Sequence, residues 1–274
     1  MTAREFKIAI LLPTHKRTDA LSRSVFSLLD TASDLSQIQF IFGIDSNDEI
    51  GCEHFVNAIQ PRLDELDVTY TALEFEPLGY GALNRYFNTL ATHANADWLF
   101  VWCDDAIMST QAWDQRIIEC TGEFKLLKVH THNEHPYSIF PIIPAEWPEL
   151  TGYLSKHQLI DAEVSQMAYL LDIMKIIEVD VTHDRHDLTG NNADENAKKK
   201  KYFEGNPKNP EDFHNKYVTH NRLVDVGKLA AYMRSKNIDT SHWDAAAAGK
   251  IDPWALMKAN DPNNQTTQFK LPKT

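Results

Sequence analysis

Apolar runs that alternate with stretches of helical spacing constrain this chain more than any other feature. Phe6–Leu12, Ile38–Ile44, Val68–Leu73 and Asp97–Cys103 are short enough for strands, and most of their positions are apolar. Between them, Asp19–Leu29 places Leu21, Val25, Leu28 and Leu29 at helical spacing, Glu53–Leu63 is read as a second helix, and Gly81–Ala94 groups Ala82, Leu83, Phe87 and Leu90 on one side. Near-continuous apolar strands are buried on both faces, and strand–helix alternation predicts a mainly parallel sheet flanked by helices. Three strands stop at polar clusters: Thr14 to Arg17, Asp45 to Asp48, and Asp104-Asp105. In open α/β sheets ligands bind outside the carboxyl ends of the strands, so these clusters are the predicted site.

Beyond Asp105 the alternation weakens. Phe124–Thr131 and Tyr137–Ile143 are strand candidates in an antiparallel arrangement, Asp161–Met174 an amphipathic helix, Ile176–Val181 a short strand and Leu223–Met233 a helix. The polar segment at about 188–216 is predicted to be a mobile loop, and the tail from Asp261 to be loosely attached. The expected organisation is an α/β half over residues 1–110, with a ligand site at its strand ends, and a second half with C-terminal helices over 111–274.

Composition narrows the function. A net charge of −12 disfavours a protein that coats nucleic acid non-specifically. Cys52, Cys103 and Cys120 are an odd, widely spaced set with neither a disulfide framework nor a CxxC metal site. With no signal-like leader and no run approaching the roughly 18–20 apolar residues of a membrane span, the expected location is the cytoplasm.

Asp104 and Asp105 leave an apolar strand together, and paired buried carboxylates need a balancing charge. A divalent cation would supply it and would also stabilise a departing diphosphate; two solvated turn residues are the plain alternative. Their surroundings decide between these. LGYGALNRYFNTLATHANADWLFVWCDDAIM (Leu78–Met108) resembles the family-2-type glycosyltransferases of the GT-A fold, in which a glycine-rich turn opens a helix and an apolar strand then ends in an acidic DXD-type motif. Gly79, Gly81, Ala82, Asn84, Trp98–Trp102, Asp104 and Asp105 match in order and spacing, and ILLPTHKR followed by IFGIDSNDE is similar to that family's first two strands.

This resemblance implies a GT-A-like, Rossmann-like mixed sheet with a C-terminal acceptor-side elaboration. It implies a donor site of Pro13, Thr14, Arg17, Asp45, Gly79, Gly81, Asn84 and Asp104, with Asp105 on the metal. Cys-Asp-Asp-Ala departs from the family's D-x-D, which leaves the register of the acidic motif open by one position. The family's inverting members take a general base from the second half, which points to Asp161 or Glu163. The plain alternative is an acid-rich helix N-terminus, favoured by the dipole. In a helix the two lie about 200° apart, so only one can face the substrate. A late histidine often completes the metal shell, which points to His183 in THDRHD over a surface turn; imidazole suits Mn²⁺ better than Mg²⁺.

The implied reaction is transfer of a sugar from a nucleotide-diphosphate sugar, UDP-linked, to an acceptor hydroxyl. THDRHDLTGNNAD also looks like stretches in glycosyltransferases of large tailed bacteriophages, which implies hydroxymethylated cytosine in phage DNA as acceptor and the host cytoplasm as location. Lys198, Lys199, Lys200 and Lys201 beside Tyr202 and Phe203 would then hold phosphates and stack on bases, although such runs are more often solvated loops. A cell-surface glycan precursor is the rival acceptor, and a non-catalytic nucleotide-sugar-binding module the rival class. Nucleotidyl transfer is weakened by the lack of glycine in LLPTHKR.

Overall fold

The computed structural model describes residues 3–131, 135–184 and 216–252. Among them, the first half alternates as predicted. Strand β1 (Phe6–Thr14) leads into α1 (Thr18–Thr31) and β2 (Ile38–Asp45). A long helix follows, built from α2 (Glu49–His54), a π turn (Phe55–Ile59) and α3 (Gln60–Glu65). Then come β3 (Thr69–Phe75), α4 (Leu83–Thr92) and β4 (Ala96–Val101). The expected strand over Asp97–Cys103 stops earlier, and Trp102 and Cys103 already belong to the loop that presents the acidic pair.

The described part of the second half comprises β5 (Ala106–Met108), α5 (Trp113–Ile118), β6 (Leu126–Thr131), β7 (Ile142–Pro144), α6 (Glu146–Thr151), α7 (Ile160–Leu171), β8 (Met174–His183), α8 (Lys216–Ser235) and α9 (Ser241–Ala247). Only the last residues of the Tyr137–Ile143 candidate are strand. Tyr137 and Ser138 instead hold the chain through side chains: the Tyr137 hydroxyl accepts from Gln166 Nε2 at 3.1 Å, and the Ser138 hydroxyl donates to the Leu127 carbonyl at 3.4 Å. The polar segment at about 188–216 lies outside the described residues except for Lys216, which begins α8, and the tail from Asp261 lies outside them too.

The sheet has eight strands in the order β3-β2-β1-β4-β7-β6-β8-β5. β3, β2, β1 and β4 are parallel, β7 is antiparallel to both neighbours, β6 and β8 are parallel, and β5 closes the edge antiparallel to β8. The chain travels from β1 to β2 on one side and returns to β4 on the other. The strand order therefore reverses at β1, and the carboxyl ends of β1 and β4 flank that crevice.

Alternation along β1 divides the core. Ile8, Ile10 and Leu12 face a layer containing Leu21, Val25 and Trp102, whereas Ala9 and Leu11 face Phe87, Val164 and Leu229. On the first face Trp102 Nε1 donates to Ser24 Oγ at 2.8 Å, and that hydroxyl donates to the Cys103 carbonyl at 3.0 Å. Asp114, fully buried, accepts from the Ser33 amide, the Ser33 hydroxyl and the Asp34 amide at 2.8, 2.7 and 3.0 Å, tying the exit of α1 to α5. Asp114→Ala strands these donors and is expected to cost about 3 kcal/mol in denaturant unfolding.

Candidate active site

Register brings the predicted residues together. Leu11 pairs with Val101, so Thr14 and Asp104 each stand three positions beyond the same rung. Thr14 Oγ1 accordingly donates to Asp104 Oδ2 at 2.9 Å. Pro13 lies past the last β1–β4 pair, where a missing N–H is tolerated. The following turn carries Arg17, whose Nη1 stands 2.9 Å from Asp104 Oδ1 and 2.9 Å from Asp105 Oδ2. Arg17 was expected on the donor's pyrophosphate; here its guanidinium bridges the acidic pair and supplies the positive charge that both carboxylates require.

Both carboxylates are buried, yet they differ. Burial, with the neighbouring Asp105 charge, pushes Asp104 up to about 6 against the pull of Arg17 and Thr14. Burial would raise Asp105 too, but the hydrogen bond and charge of His183, with Arg17, hold it below the usual carboxylate range. The His183 contact is long-range: β5 pairs with β8 so that Ala106 faces His183, and His183 Nε2 lies 3.3 Å from Asp105 Oδ1. Phe140 packs edge-on against the imidazole at 5.1 Å, and the Asp184 amide donates to the Asp105 carbonyl at 2.7 Å. Asp105 and His183 thus present neighbouring oxygen and nitrogen donors, a pair suited to a Mn²⁺-like ion. Among the described residues no group of three His, Cys, Asp or Glu side chains converges as a ready metal site. His186 lies outside the described residues.

Asp45, at the end of β2, is held on both oxygens. His15 Nδ1 is 3.1 Å from Oδ2, and the Tyr86 hydroxyl donates to Oδ1 at 2.5 Å. Tyr86 in turn accepts from the Leu78 amide at 2.9 Å, which links Asp45 to the glycine turn. Within that turn Gly79 has φ +73°, a left-handed conformation that favours glycine, whereas Gly81 is exposed and has no positive φ. Asn84 points away from this turn: its Nδ2 donates to the Lys156 carbonyl at 2.8 Å.

Asp48 supports the β1 turn and was not singled out by its sequence. Its Oδ2 accepts from the Lys16 amide at 2.6 Å, fixing a residue at φ 58°, and its Oδ1 caps α2 through the Gly51 amide at 2.9 Å. The available signal was the helix-start pattern of an aspartate three residues before Gly51. A Cβ at Gly51 would stand 2.2 Å from Asp48 Oδ2. Gly51→Ala is therefore expected to cost about 1–3 kcal/mol in thermal unfolding.

The two acids of α7 part company. Every residue of this helix is buried except Asp161. Burial first, then the charges of Asp105 and Asp104 and, most weakly, that of Asp161, drive the Cys103 thiol well above its ordinary range. Glu163 faces the other way: its Oε2 accepts from Ser155 Oγ, from the Lys156 amide at 2.8 Å and from the His157 amide at 2.9 Å. The run Lys198 to Lys201, with Tyr202 and Phe203, lies outside the described residues.

No protein-family model matches the chain, and no curated protein matches it in sequence. Its likeness is to solved structures. The mannosyltransferase PcManGT from Pyrobaculum calidifontis, in complex with GDP-Man and Mn²⁺, shares 13% identity at a TM-score of 0.56, over 92% of this chain and 79% of that one. S. aureus TarS 1-349 in complex with UDP-GlcNAc shares 10% identity at a TM-score of 0.57, over 97% of this chain and 77% of that one. The longer TarS structure is covered over only 43% of its length. Among the described residues no helix is long and apolar enough to cross a membrane. The sheet order, the switch point at β1 and these neighbours together establish that the chain has the GT-A-type fold that these structures share.

Proposed function

We propose that the protein is a metal-dependent, inverting glycosyltransferase that uses a UDP-linked sugar as donor. The observation that carries this reading is the buried acidic pair at the topological switch point, Asp104 and Asp105, bridged by Arg17 and flanked by His183. Structural neighbours that bind GDP-Man with Mn²⁺ and UDP-GlcNAc support it. Asp45, with His15 beside it, receives the nucleoside, and the Gly79 turn lets backbone approach the donor closely. Asp104 faces the ribose, while Arg17 turns its guanidinium toward the diphosphate. Asp105 and His183 would hold the divalent ion, Mn²⁺ in preference to Mg²⁺, which offsets charge on the leaving diphosphate.

Asp161 accepts the proton of the acceptor hydroxyl. The hydroxyl oxygen then bonds to the anomeric carbon from the face opposite the phosphate. The bond from that carbon to the phosphate oxygen breaks, and its electron pair leaves with the nucleoside diphosphate.

The acceptor we favour is hydroxymethylated cytosine in phage DNA, decorated in the host cytoplasm. This rests on the Thr182–Asp194 resemblance and on the basic run from Lys198 to Lys201. A donor panel with purified protein and Mn²⁺, read as nucleoside diphosphate release, tests both levels. Release stimulated by hydroxymethylcytosine-containing DNA is the expected result. Release that this DNA leaves unchanged refutes the acceptor, and no release from any donor refutes the enzyme.

A further inference from the structure

We propose that Glu163 is a positioning residue that clamps the Ser155–His157 strap and thereby fixes the direction of Asp161. The inference rests on reading Asp161 as the base. The strap carries no regular structure, so its backbone polar groups must find partners elsewhere. They find them in side chains from two helices. From α4, Asn88 Oδ1 accepts from the Leu154 and Ser155 amides at 2.9 and 3.0 Å, its Nδ2 donates to the Ser155 carbonyl at 2.8 Å, and Asn84 holds the Lys156 carbonyl. From α7, one oxygen of Glu163 takes the Ser155 hydroxyl and the Lys156 and His157 amides together.

Behind Glu163 stands Arg222 of α8, fully buried, with Nε 3.9 Å from the second carboxylate oxygen and Nη1 donating to Gln166 Oε1 at 2.6 Å. The carboxylate is thus enclosed between cation and strap, with no face left for a substrate hydroxyl. Asp161 is two residues away on the same helix, roughly 200° round, so anchoring Glu163 inward turns Asp161 outward. The strap also joins α4, the helix opened by the glycine turn, to α7, the helix of the base. Asn84 accordingly acts on the strap.

The test uses the full chain with Glu163→Ala, Glu163→Gln and, as a milder change that keeps the carboxylate, Ser155→Ala. Hydrogen exchange of the peptide covering residues 153–160 is the readout independent of activity. Glu163→Ala is expected to speed exchange of the Lys156 and His157 amides by about tenfold or more, and Ser155→Ala to do so by less. Turnover is followed as UDP release from UDP-glucose with Mn²⁺. There Glu163→Ala should lower kcat about tenfold, hold the donor KM within about twofold and keep the acidic limb of the pH profile, because the Asp161 carboxylate is unchanged.

Glu163→Gln retains a carbonyl oxygen for the same donors and should restore most of kcat. Unchanged exchange in both Glu163→Ala and Ser155→Ala overturns the clamp. A Glu163→Gln variant as inactive as Asp161→Asn, with the acidic limb gone, would make Glu163 the base and overturn the inference as well. Should the wild type release UDP from no donor, the enzymatic reading fails, while the exchange data still decide the clamp.

Discussion

Asp161→Asn is expected to lower kcat by about 10²–10⁴-fold while leaving nucleotide affinity near that of the wild type. An asparagine keeps the volume but cannot take a proton at neutral pH. The fold should tolerate the change, because Asp161 is the only residue of α7 whose side chain is not buried. The split between kcat and donor binding is the informative part. A non-catalytic sugar-binding module would show no turnover to lose, and a donor contact at Asp161 would appear in KM first. Steady-state kinetics beside a nucleotide titration distinguish the cases, and full turnover by Asp161→Asn would exclude it as the base.

Asp105→Asn is the second large effect, with an expected fall in turnover of about 10²–10³-fold and a matching loss of Mn²⁺ affinity. Chelating the metal from the wild type should reproduce that loss, and added Mn²⁺ should reverse it in the wild type only. Structural damage is an inadequate alternative explanation. Without the Asp105 charge, Arg17 still has Asp104 at 2.9 Å, and Thr14 still donates to the same carboxylate. A thermal unfolding curve close to that of the wild type, alongside lost metal binding, would place the effect at the cation. Metal affinity that stays the same in Asp105→Asn would remove Asp105 from the metal shell.

A cation would have to share Asp105 with Arg17, which already bridges the pair. The same guanidinium is assigned to the diphosphate in the proposed reaction. Donor and metal arriving together would give Arg17 an anionic partner as the ion takes over the carboxylate. Each buried charge then stays compensated throughout, as the low-dielectric surroundings require.

The parallel half of the sheet was legible in the sequence, because β1, β2 and β4 are apolar on both faces and the stretches between the strands have helical spacing. It also located Asp104 and Asp105 at a strand exit, and the first of these contacts Thr14 because both stand equally far past one rung. These are consequences of local periodicity, which a linear reading captures. The partners of these residues come from long-range packing. Arg17 reaches Asp104 and Asp105 across 87 and 88 positions, and His183 reaches Asp105 only because β5 pairs with β8. The choice between Asp161 and Glu163 was bounded in advance, since helical phase forbids both from facing one substrate. Which acid turns outward depended on α8 and the 155–157 strap enclosing Glu163, and the sequence spacing of α7 carries no record of those neighbours. α7 read as amphipathic, yet it is buried nearly all round, because helices and strap cover the face a surface helix would give to water.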